Sequence, residues 1–279
     1  MSGKVIVITG ASDGIGAVAA RDLRAAGNTV VVIGRSPNKT RAIATAIDAP
    51  FYVADYSDLS QVRTLAAQLR RDLPRIDVLA NNAGGIFPTR TTTVDGHEIT
   101  MQVNHLAPFM LTYLLLDLLL ASRASVINTA SVAHRMFSNF NIDDIESEKS
   151  FSPLVAYGNS KLENILFTRE LDKRFHSQEL SSACFHPGVV ATNFAHDSHG
   201  PMRLAYHTPI RRLFTVSPQR GADTLVWLAS TTPEVDWQSG GYYIRRRLST
   251  SLDKKAVDPS NQRRLWEMSV AMVEASSSN

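Results

Sequence analysis

The sequence predicts an α/β fold, a single-domain doubly wound parallel sheet spanning residues 1–279. Three observations predict it. Short apolar, β-branched runs alternate with helix-forming runs from Lys4 to about Cys184, the pattern that lays helices on both faces of a parallel sheet. The first apolar run, Lys4-Val5-Ile6-Val7-Ile8-Thr9, passes at once into a glycine-rich turn and then a helix-forming stretch. At 279 residues and 44% hydrophobic, the chain is long enough to bury one large core.

The glycine turn is Gly10-Ala11-Ser12-Asp13-Gly14-Ile15-Gly16, and the helix after it, Ala17 to Ala26, stops at Gly27. Strand, glycine turn and helix in that order make a dinucleotide site. Gly10 allows the tight turn, while Gly14 and Gly16 let backbone approach a pyrophosphate and let the helix pack on the sheet. The helix N-terminus offers free N–H groups and a positive dipole end to phosphates. Thr9, Ser12, Asp13 and Ile15 are the other cofactor contacts expected along this segment.

The second strand, Thr29 to Ile33, ends at Gly34-Arg35-Ser36. An NAD site usually carries an acid about 20 residues past the glycines, to hold the ribose hydroxyls. Arg35 stands there instead, and a guanidinium can pair with a 2′-phosphate that an acid would repel. NADP(H) is therefore the preferred cofactor, with NAD(H) as the alternative if Arg35 is only a solvated loop arginine.

The third strand, Phe51 to Ala54, ends at Asp55 and Tyr56, and Asp55 or Asp58 can cap the helix beginning near Leu59. A fourth, Ile76 to Ala80, leads into Asn81-Asn82-Ala83-Gly84, small enough for close passage by a cofactor. Ser125 to Thr129 leads to Ser131, at a strand's carboxyl end where open α/β sheets place ligands. Ser182 to Phe185 leads to Pro187-Gly188.

Tyr157 and Lys161 are spaced to share one helix face, about 6 Å apart at Cβ. A free tyrosine ionises near pH ~10. A neighbouring cation favours the phenolate and brings the phenol closer to acid/base work at neutrality. Alone, the spacing is ordinary helix decoration.

Together, Thr9-Gly10-x-x-x-Gly14-x-Gly16, Asn81-Asn82-Ala83-Gly84, Asn104, Ser131 and Tyr157-x-x-x-Lys161 resemble the short-chain dehydrogenase/reductase family, in its order and over nearly all of the chain. Ser131 to Arg135, Ser160 to Leu171, His186 to Thr192 and Leu265-Trp266-Glu267 resemble its retinol-dehydrogenase-like branch, which also spaces its Ser and Tyr widely. The resemblance implies a Rossmann-type fold and a role for each matched residue. Tyr157 is then the general acid in reduction and the general base in oxidation. Lys161 assists it and holds the nicotinamide ribose, Ser131 bonds the substrate oxygen, and Asn104 anchors a proton-relaying water. Asp55 bonds the adenine amino group, with Tyr56 beside it. Pro187 and Gly188 are among the cofactor contacts, the backbone around Val190 meets the nicotinamide carboxamide, and Thr192 bonds it. The resemblance also implies a homodimer or homotetramer through the helices carrying Asn104 and Tyr157, although the extended tail could block those contacts and leave a monomer.

Other features are exclusions. The single cysteine, Cys184, reads as a core thiol in a buried strand. The apolar stretch Leu106 to Ala121 is interrupted by Pro108 and Asp117 and is shorter than the ~20 residues of a membrane span. With no transmembrane segment and no secretory signal, a cytoplasmic enzyme is expected. The net charge of +3 is small and the arginine pairs are scattered, so no nucleic-acid partner is expected. His196, His199 and His207 lack a common face, and no metal is expected.

The segment 193–217 is expected to form a substrate lid, and 275–279 a frayed tail. The insertion from Asn139 to Ser152 and the stretch from Tyr242 to Leu252 are expected to rim the pocket. Phe194, Met202, Leu204, Tyr206, Ile210, Leu213 and Phe214 would give the lid an apolar wall, suiting a hydrophobic small-molecule alcohol, aldehyde or ketone. The function expected is an NADP(H)-dependent oxidoreductase. A non-catalytic NADP(H)-binding regulatory protein of the same fold is the alternative.

Overall fold

The computed structural model describes residues 3–188 and 217–276. They form an eight-stranded sheet in the order β3-β2-β1-β4-β5-β6-β7-β8, parallel except for the last pair. In chain order the elements begin with β1 (Val5–Ile8), α1 (Gly14–Ala25), β2 (Thr29–Gly34), α2 (Pro37–Ala46), β3 (Phe51–Val53), α3 (Leu59–Asp72) and β4 (Val78–Asn81). Next come α4 (Ile99–Met101), a π-helical turn (Gln102–Leu106), α5 (Ala107–Leu114), α6 (Leu116–Ala121), β5 (Ser125–Thr129), α7 (Ala133–Met136), α8 (Pro153–Phe175) and β6 (Ser181–His186). From residue 217 onward come α9 (Pro218–Ser230), β7 (Gly241–Ile244), β8 (Arg247–Leu248) and α10 (Pro259–Ala275).

Strand order reverses between β1 and β4, and the carboxyl ends of those neighbours are where an open sheet leaves a crevice. The strands fall where the β-branched runs predict, within two residues at each end. Two lie beyond the alternation that ends near Cys184: Gly241–Ile244 pairs parallel to β6, with Cys184 opposite Tyr242, and Arg247–Leu248 pairs antiparallel to Gly241–Ile244. The stretch expected at the pocket rim is thus partly a sheet strand, and Tyr242 is 1% exposed. The insertion also packs inward, burying Phe140, Ile142 and Ile145.

Two apolar layers sandwich the sheet. On one face Ile6, Ile8, Val30 and Val32 meet Leu23 of α1 and Leu225 and Leu228 of α9. On the other, Val7, Leu79 and Val126 meet α3, α5, α8 and α10. Helix α10 covers the outer side of α5 and α8. Its Trp266 stands edge-on to Phe109 at 5.0 Å, Arg174 lies 4.8 Å above the same indole, and Ser269 Oγ is 3.0 Å from His105 Nε2. The chain's own last helix thus packs on the helices through which assembly was expected, and Ala275 is still helical.

Burial pushes the Cys184 thiol up to about 12, the behaviour of a core thiol. No helix among the described residues is long and apolar enough to cross a membrane, and none of their His, Cys, Asp and Glu side chains group as a metal site. The apolar stretch beginning at Leu106 breaks at Leu115 into α5 and α6.

Candidate active site

The β1–α1 turn is held against the loop after β4. Gly10 has φ +64°, and a Cβ there would stand 2.8 Å from the Ala83 Cα; one on Gly16 would stand 2.4 Å from the Gly10 carbonyl oxygen. Only glycine fits such an approach. Thr9 Oγ1 accepts from the Asn82 and Ala83 N–H groups, each at 3.0 Å, and Asn82 Nδ2 donates back to the Thr9 carbonyl at 3.0 Å. Asp13 caps α1 by accepting from the Gly14 N–H and pairs with Lys39 at 3.2 Å.

These segments wall a cleft of about 430 Å³. Thr9, Gly10, Ser12, Asp13, Gly14 and Ile15 line it, as do Arg35, Asp55 and Tyr56, then Asn82, Ala83 and Gly84, and Tyr157, Lys161 and Pro187. Gly16, Asn81, Gly188, Asn104 and Ser131 are not in its lining. Gly16 packs the helix on the turn. Asn81 faces the core, donating to Thr112 Oγ1 and Asn128 Oδ1. Val190, Thr192 and the expected lid, with its aromatic and histidine side chains, lie outside the described residues apart from Ser217, which caps α9.

Asn104 sits in the π-helical turn, a local widening often found at functional sites. Its Oδ1 accepts from the Gly85 N–H at 2.8 Å, and its Nδ2 donates to the Gly85 carbonyl at 2.9 Å and Ser160 Oγ at 3.0 Å. Ser160 Oγ in turn donates to the Tyr157 carbonyl at 2.8 Å. In the bonds observed, Asn104 braces the loop after β4 against the first turns of α8. Lys161 is 2% exposed, its Nζ donates to the Thr129 carbonyl at 3.2 Å and lies 5.4 Å from the Tyr157 ring centroid. Burial pushes its ammonium down to about 8, with the carboxyl of Glu163 opposing.

Ser131 follows β5, is 9% exposed, and accepts from the Ala133 N–H at 3.2 Å, while its carbonyl takes a hydrogen bond from His134 Nδ1. Asp55 accepts from the Ser57 N–H and hydroxyl, leaving Asp58 as the cap of α3. The cleft also uses Gly85, Ile86, Phe87 and Pro88, which sequence reasoning missed. Their signal was the continuation of a small and apolar run directly after a strand's carboxyl end.

A family model described as short chain dehydrogenase matches residues 4–201. The chain belongs to the short-chain dehydrogenase family. It is 39% identical over 280 residues to a provisionally named daunorubicin C-13 ketoreductase of a Streptomyces species, covering 98% of this chain and 93% of that one. It is 35% identical over 297 residues to human retinol dehydrogenase 14, covering 98% and 87% respectively. Among solved structures, the Pseudomonas aeruginosa RhlG/NADP active-site complex superposes with TM-score 0.69 at 26% identity, covering 94% of this chain and 97% of that one. The protein is thus an oxidoreductase of the retinol-dehydrogenase-like branch, acting on alcohol or carbonyl substrates with a nicotinamide cofactor. Its glycine cradle and the β1/β4 crevice fit such a cofactor.

Proposed function

We propose that this dehydrogenase prefers NADP(H) over NAD(H) and interconverts a hydrophobic alcohol and its aldehyde or ketone, with Tyr157 as the general acid/base. The observation that carries the reading is Lys161, buried beside the Tyr157 ring in the lining of the cleft. A nicotinamide cofactor supplies or takes the hydride at carbon. The chain's residues manage the proton at oxygen: the Lys161 ammonium stabilises a phenolate at Tyr157, so the phenol can give a proton to the substrate oxygen or take one from it. Ser131 holds that oxygen as charge develops. Asn104 fixes the helix turn beneath, and a water anchored by it would return the proton.

Arg35 supports the cofactor preference. It is exposed at the end of β2, lines the cleft, and no hydrogen bond or ion pair engages it among the described residues, so its fork is open to a 2′-phosphate. The RhlG complex holds NADP. The relatives are named for a ketone and for an alcohol, daunorubicin and retinol, and both names support an alcohol or carbonyl substrate here. Against a non-catalytic role stands the presence of Asn104, Ser131, Tyr157 and Lys161 together.

Fluorescence titration with NADPH and NADH, followed by a panel of retinoids, steroids, quinones and medium-chain aldehydes at the nicotinamide absorbance band, tests this. Tight binding of NADPH with turnover of an apolar carbonyl is expected. Failure of both cofactors to bind at micromolar levels would sink the enzyme reading, and binding without turnover across the panel would favour the regulatory one.

A further inference from the structure

A second cavity, of about 470 Å³, lies between the later turns of α8, strands β7 and β8, and the segment entering α10; it shares no lining residue with the cleft. Its volume is that of a small-molecule site. Arg169 of α8 lines it, with Nε buried and without a hydrogen-bond partner. The nearest acids on the same helix face other cations or rings, although Glu170 Oε2 and Asp172 Oδ1 are buried without a hydrogen bond. Glu170 takes Arg174 at 2.7 Å and Lys173 at 3.9 Å, and Asp172 faces His176 at 3.3 Å. Arg169 as a whole is half-buried, and no hydrogen bond or ion pair engages its terminal nitrogens among the described residues, so its fork is open to a ligand oxygen.

The charges around it select the ligand. On this stretch of α8, Arg169, Lys173 and Arg174 stand against Glu170 and Asp172, which leaves a net single positive charge beside the cavity. One negative charge neutralises it, whereas a dianion would be repelled by Asp172. The planar fork of an arginine matches a carboxylate through two parallel hydrogen bonds. Across the cavity, Tyr242, Leu252 and Val257 form a wall for apolar atoms. We propose that this cavity binds a small carboxylate monoanion with an apolar body, the carboxylate on Arg169 and the body against Tyr242, Leu252 and Val257. Arg169 lies about 18 Å further along α8 than Tyr157, at about 1.5 Å per residue, so the ligand is not the molecule that is turned over. The site stands independently of the cofactor reading.

Calorimetric titration of the full chain with hexanoate, with and without NADPH, tests the proposal, with hexanol and inorganic phosphate as controls. Saturable binding of hexanoate is expected, unchanged by NADPH, with hexanol and phosphate at least about tenfold weaker. Arg169→Gln should weaken hexanoate by at least about tenfold. Val257 is 44% exposed, so Val257→Asp should fold normally while placing a negative charge on the wall, and it decides the question if Arg169→Gln melts early. Four outcomes overturn the proposal: no saturable heat, equal affinity in Val257→Asp, phosphate binding as tightly as hexanoate, or loss of hexanoate binding when NADPH fills the cleft.

Discussion

Lys161 Nζ lies 5.4 Å from the centroid of the Tyr157 ring, and burial pushes that ammonium down to about 8. A lowered pKa means that the cation prevails only below about 8 and is lost as pH rises through that value. In carbonyl reduction, kcat/KM should therefore fall as pH rises through this range. A pH–rate profile that stays flat to pH ~10 would remove the Lys161 charge from the mechanism.

Tyr157→Phe keeps the ring but removes the proton. Turnover is expected to fall by about 10²–10⁴ or more, while cofactor affinity changes little. Stopped-flow measurement of hydride transfer at saturating cofactor, alongside a binding titration, separates the two effects. Comparable turnover would exclude Tyr157 as the acid/base.

Arg35→Asp exchanges an open guanidinium for a group that repels a 2′-phosphate and can hold ribose hydroxyls. The ratio of kcat/KM for NADPH over NADH is expected to drop by at least about tenfold, the effect of one charged contact. Unchanged selectivity would show that Arg35 is a solvated loop residue.

Trp266 ties α10 onto α5 and α8 through Phe109, Phe167, Phe175 and Arg174. Trp266→Ala should cost about 3–5 kcal/mol in urea unfolding. Truncation ahead of α10 would uncover Phe109 and Phe167, and light scattering is expected to show self-association of that shortened chain. The intact chain is expected not to associate through this face. A crosslink between α5 helices of two intact copies would contradict that.

Glu163 is 1% exposed, and burial, with Glu98 and Glu146 nearby, raises its carboxyl well above 4.5. The folded state thus keeps a proton that the unfolded chain releases above about pH 4.5. This group's stabilisation is present at acid pH and fades as pH rises, with a slope of up to about 1.4 kcal/mol per pH unit. Glu163→Gln removes the linkage. Its stability relative to the parent should increase from pH 4.5 towards neutrality, as measured by denaturant midpoints. A constant difference would place a charged Glu163 in the fold.

Much of the site was legible in the sequence because its requirements are local. The Gly10–Gly16 turn needs glycine for close approach, Arg35 is fixed by the end of β2, and Tyr157 and Lys161 share a face through helix spacing alone. These are properties of chain order and backbone geometry, which a sequence states directly. Tertiary structure decided what depends on distant segments meeting. Asn81 and Asn82 are neighbours in sequence, yet strand pleating sends one into the core and the other to the Thr9 carbonyl. Tyr242 lies in the tail by sequence but is drawn into the sheet by pairing with β6. Arg169 has no signal of its own within the Ser160 to Leu171 run, and only the packing of α8 against β7 and the entry to α10 leaves its Nε buried and unpaired. By itself, the sequence determined the order of strands, turns and candidate site residues. Which polar groups were buried together, and which were left without a partner, was set by packing between elements far apart in the chain.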